Sequence, residues 1–313
     1  MSAPTEITLC DGTFDLQING AFGVDFSASD LTLEELERCC QRLRSEGVAG
    51  VLATLITDRL ENLEAAISRL IEFRRQSSEI GDIIHGIHVE GPFLSSKTGF
   101  VGAHDPQRTM DATLEAAERL YNAAQGLLKI WTIAPERDVR GEVTRWLTQR
   151  GVQVALGHSD ASLTEIRVAI DAGATLVTHY GNGCPQLLGR HDNVLQRLLH
   201  ESDRLMFGVI ADGVHLPRFF LENLLKVLGP EKLFVVSDAI HAAGCGPGLY
   251  RLSGQEIRVG DDGIPRTPDL QYLAGSGWTQ RRMDRWMAEE LGWSLKLRRE
   301  LLVGNPRRIM ARK

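Results

Sequence analysis

Short apolar runs alternate with stretches of helical period along this 313-residue chain, giving eight candidate strands, and polar or charged side chains stand where several of those runs end. The alternation predicts an α/β fold built on a parallel sheet. Eight units predict that the sheet closes into a TIM-like (β/α)8 barrel, with a doubly wound open sheet as the second choice, because periodicity does not separate the two. The composition agrees: 43% of the residues are hydrophobic and 24% charged, enough apolar material for one large core.

The strands are expected at residues 13–18, 49–55, 83–90, 128–133, 153–157, 176–178, 206–211 and 233–237. The third reads IIHGIHVE and stops at once on Gly91-Pro92, a pair that punctuates regular structure. Amphipathic helices are expected between strands at 33–45, 60–77, 112–124, 139–150, 162–172 and 217–228. Beyond the eighth strand the pattern changes. Residues 250–252 and 256–259 flank Ser253-Gly254 and read as a small β-hairpin insertion. Helical patterns follow at 280–290 and 295–302, ahead of Asn305-Pro306. There is no short repeat and no low-complexity linker, so residues 1–313 are expected to form one domain.

The formal net charge of −6 comes with no basic patch, which argues against a nucleic-acid partner. The pairs Arg74-Arg75, Arg281-Arg282 and Arg298-Arg299 are expected on solvated helix faces. Five cysteines (Cys10, Cys39, Cys40, Cys184 and Cys245), an odd count without CxxC, suggest neither a disulfide frame nor a zinc–thiolate knot, and fit a reducing cytoplasm. The segment MSAPTEITL lacks the basic start and apolar run of a signal peptide. No apolar stretch reaches the roughly 18 residues of a membrane span, so no membrane partner is expected.

In a parallel barrel, reactive side chains gather at the carboxyl ends of the strands. Glu90 ends the third strand, His158 follows the fifth, His179 ends the sixth, Asp212 and His215 follow the seventh, and Asp238 follows the eighth. His158 and His179 are 21 positions apart, about one βα unit, which puts both on one rim. A buried carboxylate is costly unless paired. One carboxylate and two neutral imidazoles suit Zn²⁺ or a similar divalent ion with a position left open for water, whose pKa such an ion lowers to roughly 7. Asp238 is then placed to take the proton. Blander readings remain: a strand-end histidine as a capping group, or Glu90 paired with an arginine. His88 is expected to pack beneath Glu90, and His85 and His200 to lie on the surface.

Seven stretches, in order, carry a resemblance: DGTFDLQINGAFGVDF from Asp11, GIHVEGPFLSSKTGFVGAHDP from Gly86, LGHSDAS from Leu156, THYGNGCPQLLGR from Thr178, GVIADGVHL from Gly208, LFVVSDA from Leu233 and LAGS from Leu273. With them the chain resembles the N-acetylglucosamine-6-phosphate deacetylase family of the amidohydrolase superfamily, from Asp11 to Pro306. The resemblance implies hydrolysis of the acetamide of an amino-sugar phosphate, giving acetate and the free amine. It implies Glu90, His158 and His179 as metal ligands, Asp238 as the acid/base, and His104 as the group that hydrogen-bonds the acetyl carbonyl. Gln17, Asn182, the backbone at Gly183, and His215 match substrate contacts. Arg190 matches an arginine that reaches the sugar phosphate across a homodimer interface, where a planar guanidinium bonds two oxygens at once.

Many amidohydrolases hold a second metal with His-x-His on the first strand; Gln17-Ile18-Asn19 stands there instead. One divalent ion per chain is therefore expected, Zn²⁺ foremost, with Fe²⁺, Co²⁺ or Mn²⁺ fitting the same ligands. Relatives carry flanking segments that build a small β-sandwich, and the resemblance here implies a barrel without it. Two other readings stay open: hydrolysis of a different amide, such as an N-acyl amino acid or a cyclic amide, and a non-catalytic sugar-phosphate-binding protein.

Overall fold

The computed structural model describes residues 7–252, 255–267 and 273–312; the first six residues and the Ser253-Gly254 turn lie outside the described residues. Eight parallel strands, hydrogen-bonded in chain order, form the centre: β1 (Thr13–Ile18), β2 (Val48–Ile56), β3 (Ile84–Glu90), β4 (Leu128–Ile133), β5 (Gln153–Leu156), β6 (Leu176–Val177), β7 (Met206–Ile210) and β8 (Leu233–Val236). The ring is nearly closed. Its first and last strands meet just beyond β8, where the Asp238 amide donates to Gln17 O at 2.9 Å and the Asn19 amide donates to Ala239 O at 2.7 Å.

Helices wrap this sheet: α1 (Leu33–Ser45), α2 (Leu60–Gln76), α3 (Ser78–Ile83), α4 (Leu114–Ala123), α5 (Glu142–Thr148), α6 (Leu163–Asp171), α7 (Val194–His200) and α8 (Arg218–Leu228). Their starts are chemically marked. Thr32 with Glu35 and Ser162 with Glu165 form capping boxes for α1 and α6, each worth about 1 kcal/mol. The inward face of α1 is Leu36, Cys39, Cys40 and Leu43, so two of the cysteines serve as small core hydrophobes. Helix α7 completes the barrel pattern but was not legible as a period. It has seven residues, of which only Val194 and Leu198 are buried, too few to show one face. No described helix is long and apolar enough to cross a membrane.

After β8 the chain forms an antiparallel sheet of β9 (Gly248–Leu252), β10 (Gln255–Val259) and β11 (Pro265–Arg266). Ile257 and Val259 of β10 pack with Ile56, Ile240, Ala242 and Ala274, which seats this sheet beside the carboxyl ends of the barrel strands. Helices α9 (Gln280–Glu289), α10 (Leu295–Arg299) and α11 (Asn305–Met310) close the other side. Here one expectation is corrected: Arg298 is buried, not solvated. Its guanidinium bonds the Asp284 carboxylate and the carbonyls of Thr8 and Trp293, while Asp284 also accepts the Cys10 amide at 2.6 Å. The pair ties the segment before β1 to the last helices, a partnership no local period could show.

The interior contains polar groups as well as Leu16, Ile130 and Leu176. His88 bridges Leu16 O at 2.9 Å and Thr132 Oγ1 at 2.8 Å, tying β1, β3 and β4 beneath the rim. Burial pushes its pKa down to about 4, so the ring is neutral. Asp15 lies on the closing seam, where its Oδ1 accepts the amides of Ser237 at 3.0 Å and Gln17 at 3.3 Å. Burial pushes this carboxyl up to about 7. A carboxyl raised in the folded state stabilises fully below its unfolded pKa of 3.8 and loses that contribution as pH rises through about 7. Asp15→Asn keeps an oxygen for the two amides and removes the titration. Its unfolding free energy, relative to the parent, should therefore improve between pH 4 and pH 8 by an amount on the order of 4 kcal/mol. A difference that stays constant across that range would refute the assignment.

Candidate active site

Three side chains at the rim leave their strands through left-handed backbone. His158 follows β5 with φ 51°, His179 follows β6 with φ 25°, and Asp238 follows β8 with φ 47°. Among the described residues only Phe22 and Gln125 are other non-glycine residues with positive φ. Such backbone costs about 1–3 kcal/mol per residue and persists where the surroundings over-determine it. They do so here: Tyr180 N donates to Gly208 O at 2.7 Å, Asn182 N donates to His179 O at 3.0 Å, and Asp238 N is held on β1.

The turns bring three ligand atoms together. Glu90 Oε1 lies 3.0 Å from His179 Nε2 and 3.2 Å from His158 Nε2, and the two imidazole nitrogens are 3.1 Å apart. All three side chains are buried. His158 Nδ1 stands 2.8 Å from Phe100 O, and a carbonyl only accepts, so Nδ1 carries a proton. In the neutral ring Nε2 then offers a bare lone pair to a carboxylate oxygen. That contact is repulsive without a positive centre. A tetrahedral ion with ligands at about 2.0–2.1 Å has ligand–ligand edges of about 3.3 Å, close to the spacings seen. His104 belongs to the same cluster: ligand atoms of Glu90, His104 and His158 lie within 4.8 Å of one another.

The electrostatics follow from burial and crowding. Burial alone would raise the Glu90 carboxyl, but the close contacts with the His158 and His179 imidazoles hold it well below the ordinary range. Burial works against a charge on His179 too, yet the contact with Glu90 raises its pKa. Burial pushes Asp238 up to about 6, assisted by the charge of Glu90. Burial also pushes His104 down to about 3, so that ring is neutral, with Nδ1 2.9 Å from the Thr57 hydroxyl.

Asp238 is held by two amides on one oxygen: Gln17 Nε2 donates to Oδ1 at 3.1 Å and Asn19 Nδ2 at 2.9 Å. Gln17, expected to touch substrate, is buried and turned toward this carboxylate. Asn19, which stands where a second metal's histidine would be, shares this role with Gln17, two residues earlier. Thr57 left no signal at all.

A cavity of about 600 Å³ opens over the cluster, and Asn182, Gly183 and His215 line it together with Glu90, His104, His158, His179 and Asp238. Asn182 Nδ2 donates to His179 O at 3.2 Å. Arg190 is exposed and does not line the cavity of its own chain. Among the described lining residues the one lysine or arginine is Arg266, from β11. Gly183 and Gly102, with φ of 63° and 61°, press against the His158 ring, and a Cβ on either would stand 3.0 Å from it. The ring is wedged between two backbones.

No family model matches the chain. Over 261 residues it is 31% identical to the N-acetylglucosamine-6-phosphate deacetylase of Bacillus subtilis, covering 83% of this chain and 65% of that protein. Over 284 residues it is 31% identical to the N-acetylgalactosamine-6-phosphate deacetylase of Escherichia coli O157:H7, covering 91% and 73%. It superposes with a TM-score of 0.87 on a mutant N-acetyl-D-glucosamine-6-phosphate deacetylase of Mycobacterium smegmatis solved in complex with N-acetyl-D-glucosamine-6-phosphate, at 31% identity over 99% of this chain and 81% of that one. The chain thus spans slightly less than two thirds of the Bacillus relative's length.

The wedge around His158 is testable. Gly183→Ala forces the ring to move or the loop to strain, and divalent-ion affinity measured by calorimetry should fall about tenfold or more while the fold persists. An unchanged affinity would separate His158 from ion binding.

Proposed function

The chain belongs to the N-acetylglucosamine-6-phosphate deacetylase family, and from that premise we propose that it hydrolyses the acetamide of an N-acetylated amino-sugar 6-phosphate, N-acetylglucosamine 6-phosphate first, to acetate and the free amine. The observation that carries this reading is the meeting of Glu90, His158 and His179 at 3.0–3.2 Å beside an Asp238 raised toward neutrality. We assign these three as the ligands of one divalent ion, Zn²⁺ before Fe²⁺, Co²⁺ or Mn²⁺. The grouping with His104 lies within 4.8 Å, whereas the triangle of Glu90, His158 and His179 at 3.0–3.2 Å matches ligand–ligand edges. A bound ion there supplies Lewis acidity, which polarises a carbonyl and acidifies a water.

The protein supplies the rest. An amide needs a polarised carbonyl and a proton for its departing nitrogen. With Gln17 and Asn19 both on Oδ1, Asp238 keeps Oδ2 for proton transfer, taking a proton in the first half of the reaction and handing it to the amine in the second. His104 is neutral, with Nδ1 2.9 Å from the Thr57 hydroxyl; the tautomer that carries its proton on Nε2 is the one that meets the developing oxyanion. Such donors are worth roughly 3–4 kcal/mol. Asn182, Gly183 and His215 bound the sugar. We assign Arg190, exposed on its own chain, to the phosphate of a neighbouring subunit's substrate in a homodimer. The likeness to an N-acetylgalactosamine-6-phosphate deacetylase favours testing that sugar as well.

The deciding assay measures acetate released from each N-acetyl sugar 6-phosphate after divalent-ion loading. The parent should turn over at least one of them, and Asp238→Asn should lose roughly 10²–10⁴-fold in kcat while keeping its ion. Parent-like turnover in the variant would remove Asp238 from the chemistry, and no acetate from either sugar would overturn the reaction.

A further inference from the structure

We propose that Asp212 is a positioning residue that fixes the orientation and tautomer of His215 and stands as the counter-charge of its ring when that ring meets the substrate's phosphate. This rests on the reading of the substrate as a sugar 6-phosphate. Asp212 and His215 lie in the loop between β7 and α8. Asp212 is 4% exposed, and its Oδ1 accepts the amides of Val214 and His215, both at 2.9 Å. Its Oδ2 accepts the Ser276 hydroxyl at 3.0 Å and stands 2.7 Å from His215 Nδ1.

An ionised carboxylate has lone pairs and no proton to give, so the proton of this contact sits on His215 Nδ1. In a neutral ring that choice leaves Nε2 bare, and a bare nitrogen repels phosphate oxygens. Protonation turns Nε2 into a donor carrying positive charge, the form that binds an anion. The carboxylate at 2.7 Å balances the charge of that form, and in the same contact burial of Asp212 is outweighed by His215, which keeps the carboxyl below its ordinary range. The other charged groups around the pair are Asp238 after β8, Arg282 from α9, which lies 4.0 Å over the Trp278 ring and feels the Asp212 charge, and Arg266 on the cavity wall. Ser276 ties the arrangement to the segment that returns from the small sheet.

Asp212→Asn keeps an oxygen for the two loop amides and removes the acceptor that commits Nδ1 to its proton. The measurement is the Kd of glucosamine 6-phosphate by calorimetry, with KM and kcat where turnover is observed, in the ion-loaded protein. Asp212→Asn should raise Kd and KM about tenfold or more with kcat moved less than about threefold. In a His215→Gln background the same change should add nothing further. Histidine-selective NMR of the parent, assigned by the signal lost in His215→Gln, should show a protonated Nδ1, a readout independent of how well the Asn variant folds. An unchanged Kd, a loss confined to kcat, a full additional effect in the His215→Gln background, or an unprotonated Nδ1 overturns the proposal. Binding without acetate release would overturn the reaction while leaving this pair to be judged on Kd; a parent that binds no sugar phosphate overturns both.

Discussion

Two imidazole nitrogens and a carboxylate oxygen crowd within 3.2 Å of one another in a buried pocket, and in the His158 ring the proton is committed to the other nitrogen, Nδ1. Lone pairs facing a negative oxygen at that range repel unless positive charge sits between them. The closed sheet supplies what forces the meeting: each ligand is delivered from a different strand, and the backbone bonds of the ring leave the strand ends little room to move apart. The remaining features of the rim can be understood as consequences. Burial, assisted by a negative Glu90, raises Asp238, and the two amides of Gln17 and Asn19 hold it in place.

The energetic side is equally local. Three of the residues at the site sit in left-handed backbone that side chains rarely adopt, and two glycines pack against the His158 ring where a Cβ would stand only 3.0 Å away. This strain is tolerated because the body of the barrel is strongly over-determined, with capped helices outside and a dense apolar layer between. Polar groups inside the ring also bond across strands: His88 joins three of them, and Asp15 seals the seam. The site therefore rests on a polar layer as well as an apolar one, and substitutions in that layer act on the rim through the strands.

Much of this was legible in the sequence. All eight barrel strands fall within two residues of their expected bounds, since buried parallel strands announce themselves as short apolar runs. The strand-end rule likewise drew Glu90, His158, His179 and Asp238 to one rim before any coordinates. What stayed hidden depended on partners distant in sequence or on short elements. Helix α7 is too brief to show a face. Arg298 looks like a surface residue until Asp284, fourteen positions earlier, turns out to face it underground. Gln17 reads as a substrate contact, and only the closing of β1 on β8 turns it toward Asp238. The Asp212–His215 pair is close in sequence, yet its meaning lies in which nitrogen carries the proton, and no spacing encodes that.

The most direct test of the central triangle is a crystal of the Zn²⁺-loaded protein measured on both sides of the zinc absorption edge. The account predicts one anomalous peak per chain, within about 2.0–2.2 Å of a Glu90 oxygen, His158 Nε2 and His179 Nε2, with His104 outside bonding distance. Two peaks, no peak, or one ligated by His104 in place of His179 would contradict it.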